Sequence, residues 1–444
     1  MKLHHRITTN PGNRCSILHA GKARMTRLAA TAALAGLCLT HLQARMWSSS
    51  DGAKTFEGEL KSYDAATGTV IVTMAGGKVV KFPQDKLSAA DIEFVKENGK
   101  ADKPGAAGPG IAKSGLSDEQ LLTRADGKDA DKAKPVQVFI LLGQSNMVGL
   151  GKVKGGDGSL EFAVKEKKKY PYLVQDDGAW VERKDVRFVQ YMSGKGPLRN
   201  EWMTVTGGNL GPEYGLGTPL GNAIEAPVML VKACIGNRAL GWDLLPPGSE
   251  QFEFTDSKGV TWVHPGYKGS PERWKKGEEP KPIGWYAGKQ WDDDMADAKK
   301  ALSDLEKHYP GGKGYEVAGF FFWQGERDGG SEALASRYEQ NLVHFIKTLR
   351  TEFKCPDAKF VLGTMGESVK GSGGNGGKVL EAHLNVDGAS GKYPEFKGNV
   401  ATIYTHPMAQ GGSGNGHYGG KAEVYMDVGE AMGKAMVKLL KGGK

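Results

Sequence analysis

Cysteine is scarce, with four in 444 residues, at Cys15, Cys38, Cys234 and Cys355. The first two lie in a stretch expected to be removed, which excludes a disulfide framework. There is no H-E-x-x-H, no paired C-x-x-C and no Walker loop, so neither a metal nor a nucleotide mechanism has a ligand pattern behind it; no cofactor and no metal are expected. No apolar run approaches the ~18 residues of a membrane span. Charge of one sign is also missing from most of the chain. The net charge is +8, but Lys2, Arg6, Arg14, Lys22, Arg24 and Arg27 fall before residue 45 with no acid among them. Without them 53 basic residues face 51 acidic ones, or +2, which removes the electrostatic case for nucleic acid.

What is present divides into four. Residues 1–44 hold an arginine, an apolar run from Leu28 to Leu39 and small residues ending at Ala44. This is the order of a secretory signal, and the protein is expected to be exported, to the periplasm or beyond. In residues 45–98, TFEGELKSYD, TGTVIVTMAGG and KVVKFP are strand-forming runs between glycine-rich turns, followed by LSAADIEFVKEN with Ser88 as a helix cap. A small β unit closed by one helix is expected. Residues 99–134 are rich in Gly, Pro, Ala and charge and read as a linker with one helical turn near Leu116 to Thr123. From Pro135 onward apolar runs of strand length recur at 136–142, 227–235, 316–323, 359–365 and 399–405. Amphipathic stretches at 212–224, 292–308, 331–353 and 421–440 separate them. Strands buried on both faces and alternating with helices predict an α/β domain with a parallel sheet over 135–444, with ligands at the carboxyl ends of its strands.

The first of those strands runs into Leu142-Gly143-Gln144-Ser145-Asn146-Met147-Val148-Gly149. Gly143 permits a sharp turn, and a serine at the strand tip can attack a carbonyl if a histidine takes its proton. Spacing alone is weak here, because the second glycine of G-x-S-x-G is absent and such serines also cap helices. Six histidines follow residue 44. His308, His344 and His383 lie on helical stretches and His264 in an insertion, while His406 and His417 lie between the last strand and the last helix.

GQSNMVG resembles the first sequence block of the SGNH hydrolase superfamily, in its sialate O-acetylesterase and carbohydrate esterase family 6 branch. The resemblance continues through Gly211-Pro212-Glu213, Cys234-Ile235-Gly236-Asn237, Gly241-Trp242-Asp243, Trp323-Gln324-Gly325-Glu326-Arg327-Asp328 and His417-Tyr418, and spans nearly all of 135–444. It implies a three-layer flavodoxin-like fold and cofactor-free hydrolysis of an acetyl ester on a carbohydrate. Ser145 would be the nucleophile and His417 the base. The oxyanion hole would draw on the N–H groups of Ser145 and Gly236 and the amide of Gln324, with Asn237 competing for that role. The D-x-x-H acid common in the superfamily is missing, since Gly414 stands three residues before His417. Glu326 is the preferred replacement and Asp328 the next, with a Ser–His dyad as the alternative. Gln144, Asn146, Arg238, Trp242 and Glu213 are candidates for substrate contact, and tryptophans in the insertions between the first and third long apolar strands are candidates for stacking on sugar rings. Lys167-Lys168-Lys169 reads as a solvated face. Two other functions compete: a carbohydrate-binding protein on a retired esterase scaffold, and an esterase for lipid or aryl esters.

The unit at 45–98 resembles the Sla-one homology domain, a small SH3-like barrel, through Arg45, Trp47, Asp51-Gly52, Phe56-Glu57-Gly58-Glu59-Leu60 and Lys86-Leu87-Ser88. That resemblance implies a module for a protein or surface partner.

Overall fold

A computed structural model describes residues 45–64, 68–74, 78–98, 111–194, 196–410 and 417–442. The expected leader, and residues 99–110 of the expected linker, lie outside the described residues.

The first unit is an antiparallel meander of β1 (Arg45–Ser48), β2 (Thr55–Asp64), β3 (Thr69–Met74) and β4 (Val79–Pro83), followed by helix α1 (Ala89–Asn98). Its core gathers Trp47, Leu60, Val70, Val72, Leu87 and Val95. Trp47 donates its indole N–H to the Gly58 carbonyl at 2.9 Å. Ser88 caps α1, accepting from the Asp91 N–H at 3.3 Å, and Asp91 in turn pairs with Arg45 at 2.7 Å.

Residues 111–134 differ from the linker expectation. Ser117 and Gln120 form a reciprocal capping box that starts a turn at Asp118–Leu121, and Leu121 is buried. The Lys113 N–H donates to the Ala223 carbonyl at 2.8 Å, and Asn222 donates to the carbonyls of Leu121 and Thr123 at 3.0 and 2.9 Å. The expected helical turn is present, and a buried Leu121, the partly buried Leu116 and Leu122, and the cap dock a segment that composition alone reads as a linker.

The large domain is built on seven strands: β5 (Val136–Gly143), β6 (Arg183–Tyr191), β7 (Arg199–Met203), β8 (Val228–Ala233), β9 (Tyr315–Trp323), β10 (Lys359–Gly363) and β11 (Val400–Ile403), in spatial order β11-β10-β9-β5-β8-β6-β7. All pairs are parallel except the edge pair β6–β7. Alternate residues of β5 feed opposite cores. Phe139 and Leu141 pack toward α3 (Glu213–Ala223) and the last helix (Ala422–Leu440), whereas Val138, Ile140 and Leu142 pack toward the helices Lys289–Ser303 and Glu332–Glu352. Burial on both faces explains the unbroken apolar runs and gives three layers. The strand order departs from the flavodoxin pattern 2-1-3-4-5: the third parallel strand, β8, lies between the first, β5, and the second, β6. The sheet axis therefore has β5 flanked by β8 and β9. These three strands end side by side, with Gly143 in register with Trp323. The motifs that follow them open onto one rim.

Cys234 and Cys355 are free and buried. Among the described residues no helix is long and apolar enough to cross a membrane.

Candidate active site

At the tip of β5 the chain reverses through Gly143, whose φ is +143°. A Cβ there would stand 2.4 Å from the Trp323 carbonyl oxygen, so no side chain fits against β9. The turn leads into a short helix, α2 (Ser145–Val148), with Gln144 as its cap. Ser145 is thus the first residue of a helix at a parallel-strand tip, and its side chain faces the rim. His417 reaches the same point from the other end of the domain. It sits with φ +60° just before the last helix, and its Nε2 lies 2.7 Å from Ser145 Oγ.

The other histidines are elsewhere. His308 contacts the Tyr191 hydroxyl at 3.1 Å, His344 the Pro247 carbonyl at 2.9 Å, His383 the Tyr338 hydroxyl at 2.9 Å and His406 the Gly366 carbonyl at 2.7 Å. Burial pushes His264 down to about 4 and His383 down to about 3, so both are neutral packing groups.

Ser145 and His417 open onto a cleft of about 540 Å³ together with Gln144, Gly236, Asn237, Glu326, Arg327 and Gly330. Gly236 approaches Ser145 so closely that a Cβ on it would lie 3.4 Å from the serine Cβ. The N–H groups of Ser145 and Gly236 and the side chain of Asn237 make no hydrogen bond among the described residues. They are free donors beside Ser145, an arrangement able to receive an oxyanion.

Gln324 is placed differently from the expected donor. It is wholly buried, and its amide N–H₂ is spent on Asp328 Oδ2 at 2.6 Å, the Arg238 carbonyl at 2.8 Å and Gln144 Oε1 at 3.3 Å. Asn237, the competing amide, is the one on the cleft.

The two candidate acids also part. They lie two positions apart on the turn α4 (Glu326–Gly329), and such residues face different directions. Glu326 faces the cleft and accepts from Gln144 Nε2 at 3.2 Å. Burial raises its pKa and the charge of Glu367 adds to this, while the charge of His417 and the Gln144 bond act against it. Asp328 points inward, fully buried, accepting from the N–H groups of Leu240 and Gly241 at 2.8 Å each. Burial pushes its carboxyl up to about 6 despite those bonds. Among the described residues no carboxylate forms an ion pair with His417.

Of the expected substrate contacts, only Gln144 lines the cleft. Asn146 is buried, its amide 3.4 Å from the Tyr418 hydroxyl. Trp242 packs with Ala239, Leu245, Ala287 and Leu334. Arg238 lies over the Trp285 ring at 4.7 Å with Gln290 at 3.4 Å. Glu213 is buried in an ion pair with Lys232 at 2.6 Å. No tryptophan lines the cleft; Trp291 is buried against Phe345, and Trp202 packs edge-on to Tyr309. Sequence reasoning missed Arg327, directly after the Gln-Gly-Glu run, and Gly330, four residues beyond it. It also missed Lys232, whose signal was a single lysine inside the apolar run PVMLVKACI. Among the described residues no group of three or more His, Cys, Asp or Glu could hold a metal.

A parallel α/β sheet with a Ser–His pair and free N–H donors at its strand tips defines a site of the serine-hydrolase type. The model of the family described as "SASA: Carbohydrate esterase, sialic acid-specific acetylesterase" matches residues 265–438. That stretch carries Glu326 and His417 and begins after Ser145, and it supports an esterase of the carbohydrate class. A comparison with curated proteins finds no significant match. Similar solved structures include a protein from Arabidopsis thaliana, with 20% identity over 69% of this chain and 99% of that one and a TM-score of 0.37. A carbohydrate acetylesterase from Xanthomonas citri shows 13% identity over 69% and 56%, with a TM-score of 0.41. NanS shows 13% identity over 63% and 79%, with a TM-score of 0.33.

Proposed function

We propose that this protein is a serine esterase that removes O-acetyl groups from a carbohydrate, a sialic acid or a polysaccharide. The 2.7 Å contact between Ser145 Oγ and His417 Nε2 is the observation that carries the reading. His417 takes the serine proton as Ser145 Oγ attacks the acetyl carbonyl. The N–H groups of Ser145 and Gly236 and the Asn237 amide receive the developing oxyanion. His417 then gives the proton to the departing sugar oxygen, leaving acetyl-Ser145. Water attacks that ester, again losing its proton to His417, and acetate and free serine result. Glu326 acts through space on the imidazolium, its negative charge favouring the protonated ring.

Acetate release from O-acetylated sialic acid and from an acetylated polysaccharide tests this. Ser145→Ala should reduce it by roughly three orders of magnitude or more; turnover close to wild type would end the assignment. A retired, purely glycan-binding scaffold would release no acetate and would not react with a serine-directed phosphonate. An ester chain-length series separates carbohydrate from lipid or aryl esters. The apolar run after Arg27 supports export, and secretion of a reporter fused after Ala44 tests it. The unit at 45–98 is read as an SH3-like module for a protein or surface partner, tested by pull-down with and without it.

A further inference from the structure

We propose that Asp328 is a positioning residue whose buried carboxylate clamps the loop carrying the oxyanion donors Gly236 and Asn237. The proposal rests on the esterase reading, and it removes Asp328 from contention as the acid of the triad.

The loop leaves β8 and runs through Gly236, Asn237, Arg238, Ala239, Leu240 and Gly241. Its first two residues face the cleft; the rest are held from behind. Asp328 Oδ2 accepts from the Leu240 N–H and Oδ1 from the Gly241 N–H, each at 2.8 Å. Gln324, bonded to Asp328 at 2.6 Å, extends the grip to the Arg238 carbonyl at 2.8 Å. Asp243 holds the Ala239 N–H at 2.8 Å. Of the four residues behind the donors, Arg238 is therefore tied to Gln324 just past β9, Leu240 and Gly241 to the α4 turn, and Ala239 to Asp243 a few residues further along the same loop.

The orientation of the Gln324 amide is itself determined. The Arg238 carbonyl and the Asp328 carboxylate can only accept, so the N–H₂ end must face them, while Oε1 lies 2.8 Å from the Tyr338 hydroxyl, which also stands 2.9 Å from the Gln324 carbonyl and from His383 Nε2. The same N–H₂ reaches Gln144 Oε1 at 3.3 Å, next to the nucleophile. One network thus references both the loop and the serine turn to a single buried carboxylate.

That carboxylate has no cation beside it: among the described residues no Lys or Arg pairs with Asp328. An unpaired buried charge is costly unless hydrogen bonds satisfy it. Three N–H donors do so here, and what they achieve is a fixed loop whose dipoles need no rearrangement when the oxyanion forms. Asp328 is fully buried and cannot touch a substrate in the cleft.

The test is Asp328→Asn in the full chain, which keeps the volume but sets an amide where two N–H donors need acceptors. The expected result is a kcat lower by roughly 10²–10³-fold, the range for losing an oxyanion donor, with KM little changed. Amide hydrogen exchange across residues 236–241 should rise, the ¹⁵N signals of the His417 ring should stay where they are, and the loss should fail to multiply with that of Asn237→Ala. Unchanged exchange in the loop overturns the clamp, and a change of His417 tautomer in its ¹⁵N signals overturns it in favour of a triad acid. Should Asp328→Asn not fold, Asp328→Glu keeps the charge but displaces both carboxylate oxygens from the Leu240 and Gly241 N–H groups; loop exchange should rise there as well, and unaltered exchange is equally fatal. If wild type releases no acetate at all, the esterase reading falls, while loop exchange still decides the clamp.

Discussion

Glu326 and Asp328 share one helical turn, yet the protein surrounds them so differently that their substitutions should separate cleanly. Glu326 faces the cleft beside His417 without an ion pair to it, so its influence is a field across a partly wet gap, worth of the order of 1 kcal/mol. Glu326→Gln should therefore lower kcat/KM only about tenfold, and wild-type turnover in that variant would leave Ser145 and His417 as a dyad. Asp328 leaves its mark on stability. Its folded pKa is about 6, raised from 3.8 chiefly by burial and slightly by Asp243, against the bonds from Gln324, Gly241 and Leu240. A carboxyl whose folded value is raised favours folding below the unfolded value, and that contribution is lost as pH climbs through the folded value. The loss amounts to about 3 kcal/mol. Urea unfolding of wild type against Asp328→Asn should show the wild-type advantage shrinking by about that amount from about pH 4 to about pH 7; a difference independent of pH would contradict it.

The site is held at the level of elements by a charge buried in a strand. Lys232 lies next to the last residue of β8, wholly buried, and reaches Glu213 Oε2 at 2.6 Å and the Val148 carbonyl at 3.0 Å. Glu213 accepts from the Gly211 N–H at 3.0 Å. This pair ties the end of α2 to the start of α3 and to the sheet, which makes Glu213 a structural residue under the site. Lys232→Met should cost about 3 kcal/mol by leaving the buried Glu213 carboxylate with only the longer Arg199 contact at 3.9 Å for a cation. Lys232→Met with Glu213→Gln should recover part of that in urea unfolding, and a double variant no better than the single would exclude the stranded charge as the cause. Elements of this kind also show what was legible beforehand. The strands β5, β8, β9, β10 and β11 are apolar on both faces and stand out in the chain. β6 does not, because Arg183, Lys184, Asp185 and Arg187 break its pattern; Arg183 is in fact buried, donating to Asp185 Oδ1 at 3.0 Å and to Asn222 at 2.9 Å. The helix Gly374–Asn385 opens on GNGG, a poor helix former, and is held by packing of Val379, Leu380 and Ala382. That Ser145, His417 and Glu326 would meet on one cleft was legible through their motifs. The burial of Gln324, Asp328, Trp242 and Glu213 was not, because a motif states which residues share a neighbourhood and leaves open which way each one faces.

Over the whole molecule, the boundary of the catalytic unit falls earlier than composition suggests. Every residue on the cleft follows Gly143, yet the domain is not complete from Pro135. Ala112 bridges to Ile224 at the end of α3, Leu121 fills the core beside α3, and Lys134 pairs with Glu225 at 2.8 Å. Since α3 packs against the last helix, whose first residues follow the turn that delivers His417, the segment 111–134 supports the histidine side of the site from a distance. A chain beginning at residue 111 should release acetate as the full chain does, because it keeps these contacts and every cleft residue. A chain beginning at residue 135 exposes the Leu121 site and leaves the Ala223 carbonyl and Asn222 amide without their partners, a loss of at least about 3 kcal/mol from one buried leucine and the bonds around it. It should unfold at lower urea while keeping residual activity in proportion to the folded fraction. Equal stability of the two truncated chains would return residues 111–134 to the status of a linker, and loss of activity on removing residues 1–110 alone would place the small β unit within the catalytic machinery.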